Sequence, residues 1–417
     1  MDGKPRRDLP ESRPSIGNKA HGEAPAAFHI LAKPRGAICN LACKYCFYTK
    51  KADLYPDGSF RMSDEVLESY LRQVIHGHEA PEVTIAWQGG EPTLMGLDFF
   101  RRSIELERKH ARPGRKLINT IQTNGTTLTD EWCTFLKEND FLVGISIDGP
   151  EDLHDQYRID KGGGPTFKRV MRGLRLLQKH HVEHNALVTI NAVNVNDPLR
   201  VYRFLRDEAD IRFIQLIPIV EKEPFSDASN SIKVTKESVP PGKFGRFMIG
   251  VFDEWVRRDV GQVFIQSFDV ALANWYGEPP SVCINAITCG TALALEHNGD
   301  LYSCDHFVDE GHRLGNILET PMVEMVGSER QLRFGANKAL LPRYCMECDV
   351  RFACHGGCPK DRFTRSPQGE NGLNYLCSGY KAFYHHMDRP MKLMSYLLKQ
   401  GRPPSDIMTM NKAWDDR

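Results

Sequence analysis

The sequence predicts an α/β fold: an incomplete barrel of parallel strands with helices outside, followed by a smaller cysteine-rich domain. Three observations predict it. Six apolar runs of strand length are separated by helical patterns between residues 28 and 217, and such alternation implies parallel strands joined by outer helices. Motifs rich in Gly, Pro, Asn and Asp follow the first strands, at the ends where chemistry gathers in barrels of this kind. Eleven of the 12 cysteines fall in two zones, 39–46 and 283–377. The 417 residues allow two or three domains, and 41% hydrophobic content supports a packed core. We divide the chain into a flexible N-terminal extension (1–25), a barrel core (26–240), a helical connector (241–280), a cysteine domain (281–385) and a C-terminal helix and tail (386–417).

The strands are FHILAK (28–33), EVTIAWQ (82–88), KLINTIQ (116–122), FLVGISI (141–147), ALVTINA (186–192) and IRFIQLI (211–217). Between them, SDEVLESYLRQVI, GLDFFRRSIELERKH, TDEWCTFLKEN, TFKRVMRGLRLLQKH and DPLRVYRFLRDEA carry apolar residues at helical spacing. Ser63, Thr129 and Asp197 stand at helix starts as N-caps. Six units close only part of an eight-fold barrel. Residues 218–240 are polar and turn-rich and form a loop near the barrel mouth. The next helix, GKFGRFMIGVFDEWVRRD, turns its aromatics to the core. Cys133, alone in its helix, is expected as a core thiol.

Composition removes several function classes. With 54 basic and 54 acidic residues the net charge is +0, so no strong field attracts nucleic acid. No apolar run is long enough to span a bilayer. The first 25 residues are polar and lack the apolar core of a secretory signal, so a cytoplasmic protein is expected. Clustered cysteines in that compartment are more often metal or cluster ligands than disulfides.

The stretch Cys39-Asn-Leu-Ala-Cys43-Lys-Tyr-Cys46 organises the chain. Three thiolates at this spacing can wrap three corners of an iron–sulfide cube and leave one iron open. A structural zinc site normally wants four protein ligands; unrelated buried thiols or a redox pair are the remaining alternative. Gly89-Gly90-Glu91-Pro92, Thr123-Asn124-Gly125 and Asp148-Gly149 follow the next three strands, and each alone is also a turn. The second zone holds eight cysteines, enough for two four-iron clusters or two zinc sites, which spacing does not separate.

Taken in this order, the triplet with Tyr45 before its last cysteine and the loops behind it resemble the radical S-adenosylmethionine (SAM) enzymes. In that family the open iron binds the amino and carboxylate groups of SAM. The resemblance implies a partial (β/α)6 TIM-like barrel as radical SAM core, with Cys39, Cys43 and Cys46 as cluster ligands and Tyr45 beside them. Around SAM it implies the backbone at Gly90, which permits close approach, Ser146 for a ribose hydroxyl or carboxylate, Arg158 for the carboxylate and Leu216 against adenine. A surface ion pair for Arg158 and a core contact for Leu216 are the structural alternatives. The second zone resembles a fully ligated C-terminal SPASM domain, which implies two auxiliary [4Fe-4S] clusters. One would take Cys283, Cys289, Cys304 and Cys358, the other Cys345, Cys348, Cys354 and Cys377.

Within that group, FHILAKPRGAICNLACKYCFYTK, AWQGGEPTL, QTNGT, SIDGP, FIQLIP and LYSCDHFV resemble the anaerobic sulfatase-maturating enzymes, over most of residues 27–400. This implies three [4Fe-4S] clusters, SAM, and oxygen-independent oxidation of a Cys or Ser to formylglycine. The target would be an unfolded or nascent sulfatase with a Cys/Ser-x-Pro-x-Arg segment. A 5′-deoxyadenosyl radical would take a β-hydrogen, Asp305 would act as base, and the auxiliary clusters would accept the electron. Gln88 and Tyr48 would contact substrate, and flavodoxin or ferredoxin would donate electrons. A turn-bonding Asp305 and simple packing of Gln88 and Tyr48 are the alternatives. The competing functions are a SPASM enzyme that crosslinks a small peptide through thioether or carbon–carbon bonds, and a non-catalytic electron carrier or zinc scaffold.

Overall fold

The computed structural model describes residues 24–56, 58–223 and 233–410. Most of the expected extension (1–23), part of the mouth loop (224–232) and the end of the tail (411–417) lie outside the described residues.

All six expected strands form: β1 (His29–Lys33), β2 (Glu82–Trp87), β3 (Lys116–Thr123), β4 (Leu142–Ser146), β5 (His184–Ile190) and β6 (Phe213–Pro218). They lie side by side in chain order, all parallel. The barrel stays open because β6 does not return to β1. Instead β6 pairs with β7 (Phe264–Ile265), and β1 pairs over five residues with β8 (Ala292–Glu296), from His29 opposite Ala292 to Lys33 opposite Glu296. β9 (Asp300–Tyr302) and β10 (Arg313–Asn316) continue antiparallel, giving one ten-stranded sheet. The segment 241–280 thus contributes a strand to the barrel sheet, and 281–385 begins within that same sheet. Alternate residues on the helix-packed face fill the core: Ile30, Ala32, Val83, Ile85, Val143 and Val188 are fully buried.

The outer helices are α1 (Asp64–Gly77), α2 (Leu97–His110), α3 (Asp130–Glu138), the single turn α4 (Glu151–His154), α5 (Phe167–Lys179) and α6 (Pro198–Arg203). Ser63 and Thr129 cap as expected, accepting the N–H of Val66 and Trp132. Asp197 does not: it precedes α6 but its side chain makes no cap bond. Pro198 at the first position has no N–H to satisfy and a preset φ, so the start needs less capping. The helix expected over 197–209 also divides, because α6 widens into a π turn at Phe204–Glu208, where the Ala209 N–H reaches Phe204 O at 2.9 Å. Cys133 is fully buried.

α7 (Pro241–Arg258) buries Phe244, Phe247, Phe252 and Trp255, and α8 (Gln266–Tyr276) follows β7. The helix Cys377–Lys399 packs against both and runs without a break through residues 385 and 386. Its contact with α7 is glycine on glycine. A Cβ on Gly379 would stand 2.3 Å from the Pro241 carbonyl oxygen, and one on Gly245 would stand 2.9 Å from Gly379 Cα. No helix among the described residues is long and apolar enough to cross a membrane.

Gly379→Ala is therefore expected to force α7 and the C-terminal helix apart. Overpacking of this kind costs about 1–3 kcal/mol, read as a lower thermal midpoint by circular dichroism; an unchanged midpoint would show that the contact yields freely.

Candidate functional site

The cysteine triplet follows β1 on a loop that three other loops hold from behind. The N–H groups of Ala42 and Lys44 donate to the carbonyls of Ile159 and Tyr157 at 2.8 and 2.9 Å, and this pairing brackets Arg158. The loop after β2 locks from the other side: the N–H groups of Gly90 and Glu91 donate to Gly36 O and Ile38 O at 2.7 and 2.9 Å. Only glycine fits at position 90, since a Cβ would lie 2.0 Å from Ile38 O. With those N–H groups spent, the Gly89–Glu91 loop has carbonyls to offer a ligand, and carbonyls are what an ammonium group needs.

Glu91 itself ties the loops together. Its buried carboxylate accepts the Thr93 N–H (3.1 Å) and hydroxyl (2.6 Å), the Thr123 hydroxyl (2.7 Å) and the Asn124 N–H (2.8 Å). Burial pushes its pKa up, with those bonds opposing. Asn124 then reaches Asn40 Oδ1 at 2.8 Å and Cys39 Sγ at 3.7 Å, while the Leu41 N–H points at the same sulfur at 3.3 Å. Burial drives the Cys39 thiol up to about 12, so a thiolate there needs a metal to balance its charge.

Beside the triplet lies a buried triad. The Tyr45 hydroxyl donates to Asp148 Oδ2 at 2.5 Å, and Arg158 Nη1 donates to the same Tyr45 oxygen at 3.0 Å. Asp148 also accepts the Thr189 N–H at 3.0 Å. Arg158 is 6% exposed, which removes the surface-ion-pair alternative, and its Nε has no partner among the described residues. Ser146 accepts Gln122 Nε2 at 3.0 Å. Leu216, expected beside adenine, lines a cavity with Cys283, Cys289, Cys304 and Cys358.

Asp305 faces a residue that sequence reasoning missed. The buried Lys33 ammonium, at the end of β1, forms an ion pair with Asp305 Oδ1, donates to Gln88 Oε1 at 2.7 Å and lies 4.3 Å from the Tyr48 ring centre. The Tyr48 hydroxyl in turn donates to Glu296. Gln88 and Tyr48, expected at the substrate, are thus both engaged around Lys33. Burial raises the Asp305 pKa, but Lys33 and then His306 outweigh it and hold the carboxyl below its usual range. The side chain keeps 16% of its surface exposed. The only signal of Lys33 in sequence was a lysine ending an apolar strand.

The second cysteine zone separates into two cavities. Cys283, Cys289, Cys304 and Cys358 line one, of about 270 Å³; Cys345, Cys348, Cys354 and Cys377 line the other. Among the described residues no three His, Cys, Asp or Glu side chains converge where a single ion could sit; the sulfurs surround space instead. Burial pushes the Cys354 and Cys358 thiols up to about 12 and Cys377 to about 11. All-sulfur donor sets around a cavity fit four-iron clusters, and the triplet with the unpartnered Arg158 Nε beside it fits a cluster with a carboxylate-bearing ligand. A third cavity, of about 400 Å³, opens at the triplet and is lined by Lys44, Tyr45, Cys46, Lys51, His306 and Asp309, among others.

Residues 34–205 match the family model described as the radical SAM superfamily, and residues 287–349 match the iron-sulfur cluster-binding domain, SPASM. The chain is 48% identical over 403 residues to a serine-type anaerobic sulfatase-maturating enzyme of Bacteroides thetaiotaomicron, covering 94% of this chain and 97% of that one. It is 34% identical over 360 residues to a cysteine-type anaerobic sulfatase-maturating enzyme of Clostridium perfringens, covering 86% and 95%. A solved structure described as native anSMEcpe with bound AdoMet and Kp18Cys peptide superposes with a TM-score of 0.80 at 33% identity, over 88% of this chain and 99% of that one.

Glu91→Gln turns an amide nitrogen toward groups that donate, and each buried donor left unmatched costs about 1–3 kcal/mol. The reconstituted variant is expected to lose iron at the triplet site and keep it in the two auxiliary cavities. Iron analysis of Glu91→Gln in a Cys39→Ala background checks this: a further loss there would mean that Glu91 acts elsewhere.

Proposed function

The chain belongs to the anaerobic sulfatase-maturating enzymes, radical SAM oxidoreductases that use SAM and iron–sulfur clusters, and from that premise we propose that it oxidises a serine or cysteine of a sulfatase polypeptide to Cα-formylglycine without oxygen. The observation that carries this reading is the Lys33–Asp305 pair: a carboxylate kept charged and adjacent in sequence to Cys304. The higher identity to the serine-type relative favours serine as the native target.

Cys39, Cys43 and Cys46 would hold a four-iron cluster that, with SAM bound, would supply a hydrogen-abstracting radical. Arg158 offers its unpartnered Nε to the SAM carboxylate, the Gly90 loop offers carbonyls to the amino group, and Ser146 offers its hydroxyl. The overall oxidation removes a hydrogen atom, a proton and an electron from the target side chain. Asp305 takes the hydroxyl or thiol proton, and its depressed pKa keeps it ionised and able to accept. Lys33 fixes that carboxylate, with Gln88 holding the ammonium and the Tyr48 ring beneath it. The eight cysteines of the second zone, in two closed sets of four, would hold two further [4Fe-4S] clusters, three in all. Their full ligation leaves no corner for substrate and suits them to carry the electron away. A flavodoxin or ferredoxin feeds the first cluster.

Reduced, reconstituted protein incubated with SAM and matched Ser and Cys sulfatase peptides, without air, is expected to convert both, the Ser peptide at least as fast. Mass spectrometry reads the alcohol-to-aldehyde or thiol-to-aldehyde change; a crosslinked peptide instead would sink the assignment. Asp305→Asn is expected to cleave SAM yet form little formylglycine, and full product formation would remove Asp305 from the role. Lys33→Met is expected to lower product formation roughly 100-fold, the lower end of what a positioned base contributes, while 5′-deoxyadenosine still accumulates. Equal loss of both products would make Lys33 merely structural.

A further inference from the structure

Lys338 and Arg362 are among the cations near the eight auxiliary cysteines, and among the described residues neither has a carboxylate in ion-pair range. Lys338 is 1% exposed, lines the cavity of Cys283, Cys289, Cys304 and Cys358, and donates to the Ala286 carbonyl. Arg362 is held between the two groups. Its Nε donates to Gly356 O at 2.9 Å, Nη1 to Lys338 O at 2.6 Å, and Nη2 to His355 O and Gly357 O at 2.7 and 3.1 Å. Residues 355–357 link Cys354 of one cavity to Cys358 of the other, so the guanidinium is threaded into the segment that joins them.

The charges each cation feels follow the same division. Burial and the neighbouring Arg362 push Lys338 down to about 8, and the sulfurs opposing this are Cys289, Cys283 and Cys358, all in one cavity. Burial pushes Arg362 down, opposed by Cys345 and Cys354 on one side and by Cys358 and Cys289 on the other. A cation buried without an anion is unfavourable. A four-iron cluster on four thiolates is net negative, and every electron it takes makes it more so; local charge is one of the terms that set its potential.

We propose that Lys338 and Arg362 are the counter-ions of the auxiliary clusters and raise their reduction potentials, Lys338 acting on the Cys283/Cys289/Cys304/Cys358 cluster alone and Arg362 acting on both. The proposal rests on the reading of the eight cysteines as two four-iron sites. It gives the electron-accepting role a physical basis: a positive charge beside each cluster favours its reduced form.

The test is a redox titration followed by electron paramagnetic resonance on the reconstituted full chain, with iron and sulfide measured first. Wild-type protein lacking auxiliary iron would overturn the cluster reading itself. With iron present, Lys338→Met is expected to lower one potential and Arg362→Gln two, the first included. Each shift is expected to reach a tenfold change in the reduction equilibrium, about 59 mV for one electron. Lys338→Arg and Arg362→Lys, which keep the charge, are expected to stay near wild type. Unmoved potentials at intact iron content, or a Lys338→Met shift shared equally by both clusters, would overturn the proposal. If Arg362→Gln fails to hold its clusters, Lys338→Met decides alone: an unshifted potential overturns it.

Discussion

The pairing of β1 with β8 is the constraint on which the rest depends. Five residues in parallel register, His29–Lys33 against Ala292–Glu296, take the edge that a closed barrel would have joined to β6. That ladder places the end of β1, with Lys33 and the cysteine loop after it, beside the chain that goes on to Cys304 and Asp305. Without it the candidate base would have no cation and the two cysteine zones no fixed relation. The open barrel is thus a means of joining two cofactor regions in one sheet.

Two buried carboxylates in this protein are stabilised in opposite ways. Glu91 has no cation and relies on hydrogen bonds from two N–H groups and two hydroxyls; burial wins and its pKa rises. Asp305 has Lys33 in contact and His306 next to it, and its pKa falls. The difference suits their positions. A clamp between loops needs its donors met by an acceptor, whereas a proton acceptor must remain ionised at neutral pH.

Much of the fold was legible because its signals are local. Strand runs, helix periods and the caps at Ser63 and Thr129 depend on a few neighbouring residues, and the motif loops appear in chain order at the strand ends. Asp197 misled because a proline at the first helical position relieves the need that a side-chain cap would meet. The parts of the site that escaped are those made by long-range contact. Lys33 looks like an ordinary strand end until β8 is laid beside it. Glu91 sits in a motif whose backbone drew attention, while its side chain ties three loops. The division of eight cysteines into two sets, with Cys358 crossing to the earlier group, came from family resemblance, since spacing carries no trace of which sulfurs share a cavity.

The C-terminal helix begins at Cys377 and is seated on α7 through two glycines, and this has a consequence for biosynthesis. Cys377 closes one sulfur cage directly, and Tyr380, Phe383 and Tyr384 of the same helix wall the other, with Cys283, Cys289, Cys304 and Cys358. Both cages therefore gain their last wall only when the chain beyond residue 377 has emerged, coiled and docked. Metal loading then becomes a checkpoint on synthesis of that helix, and a nascent chain stalled before it would carry two unfinished auxiliary centres.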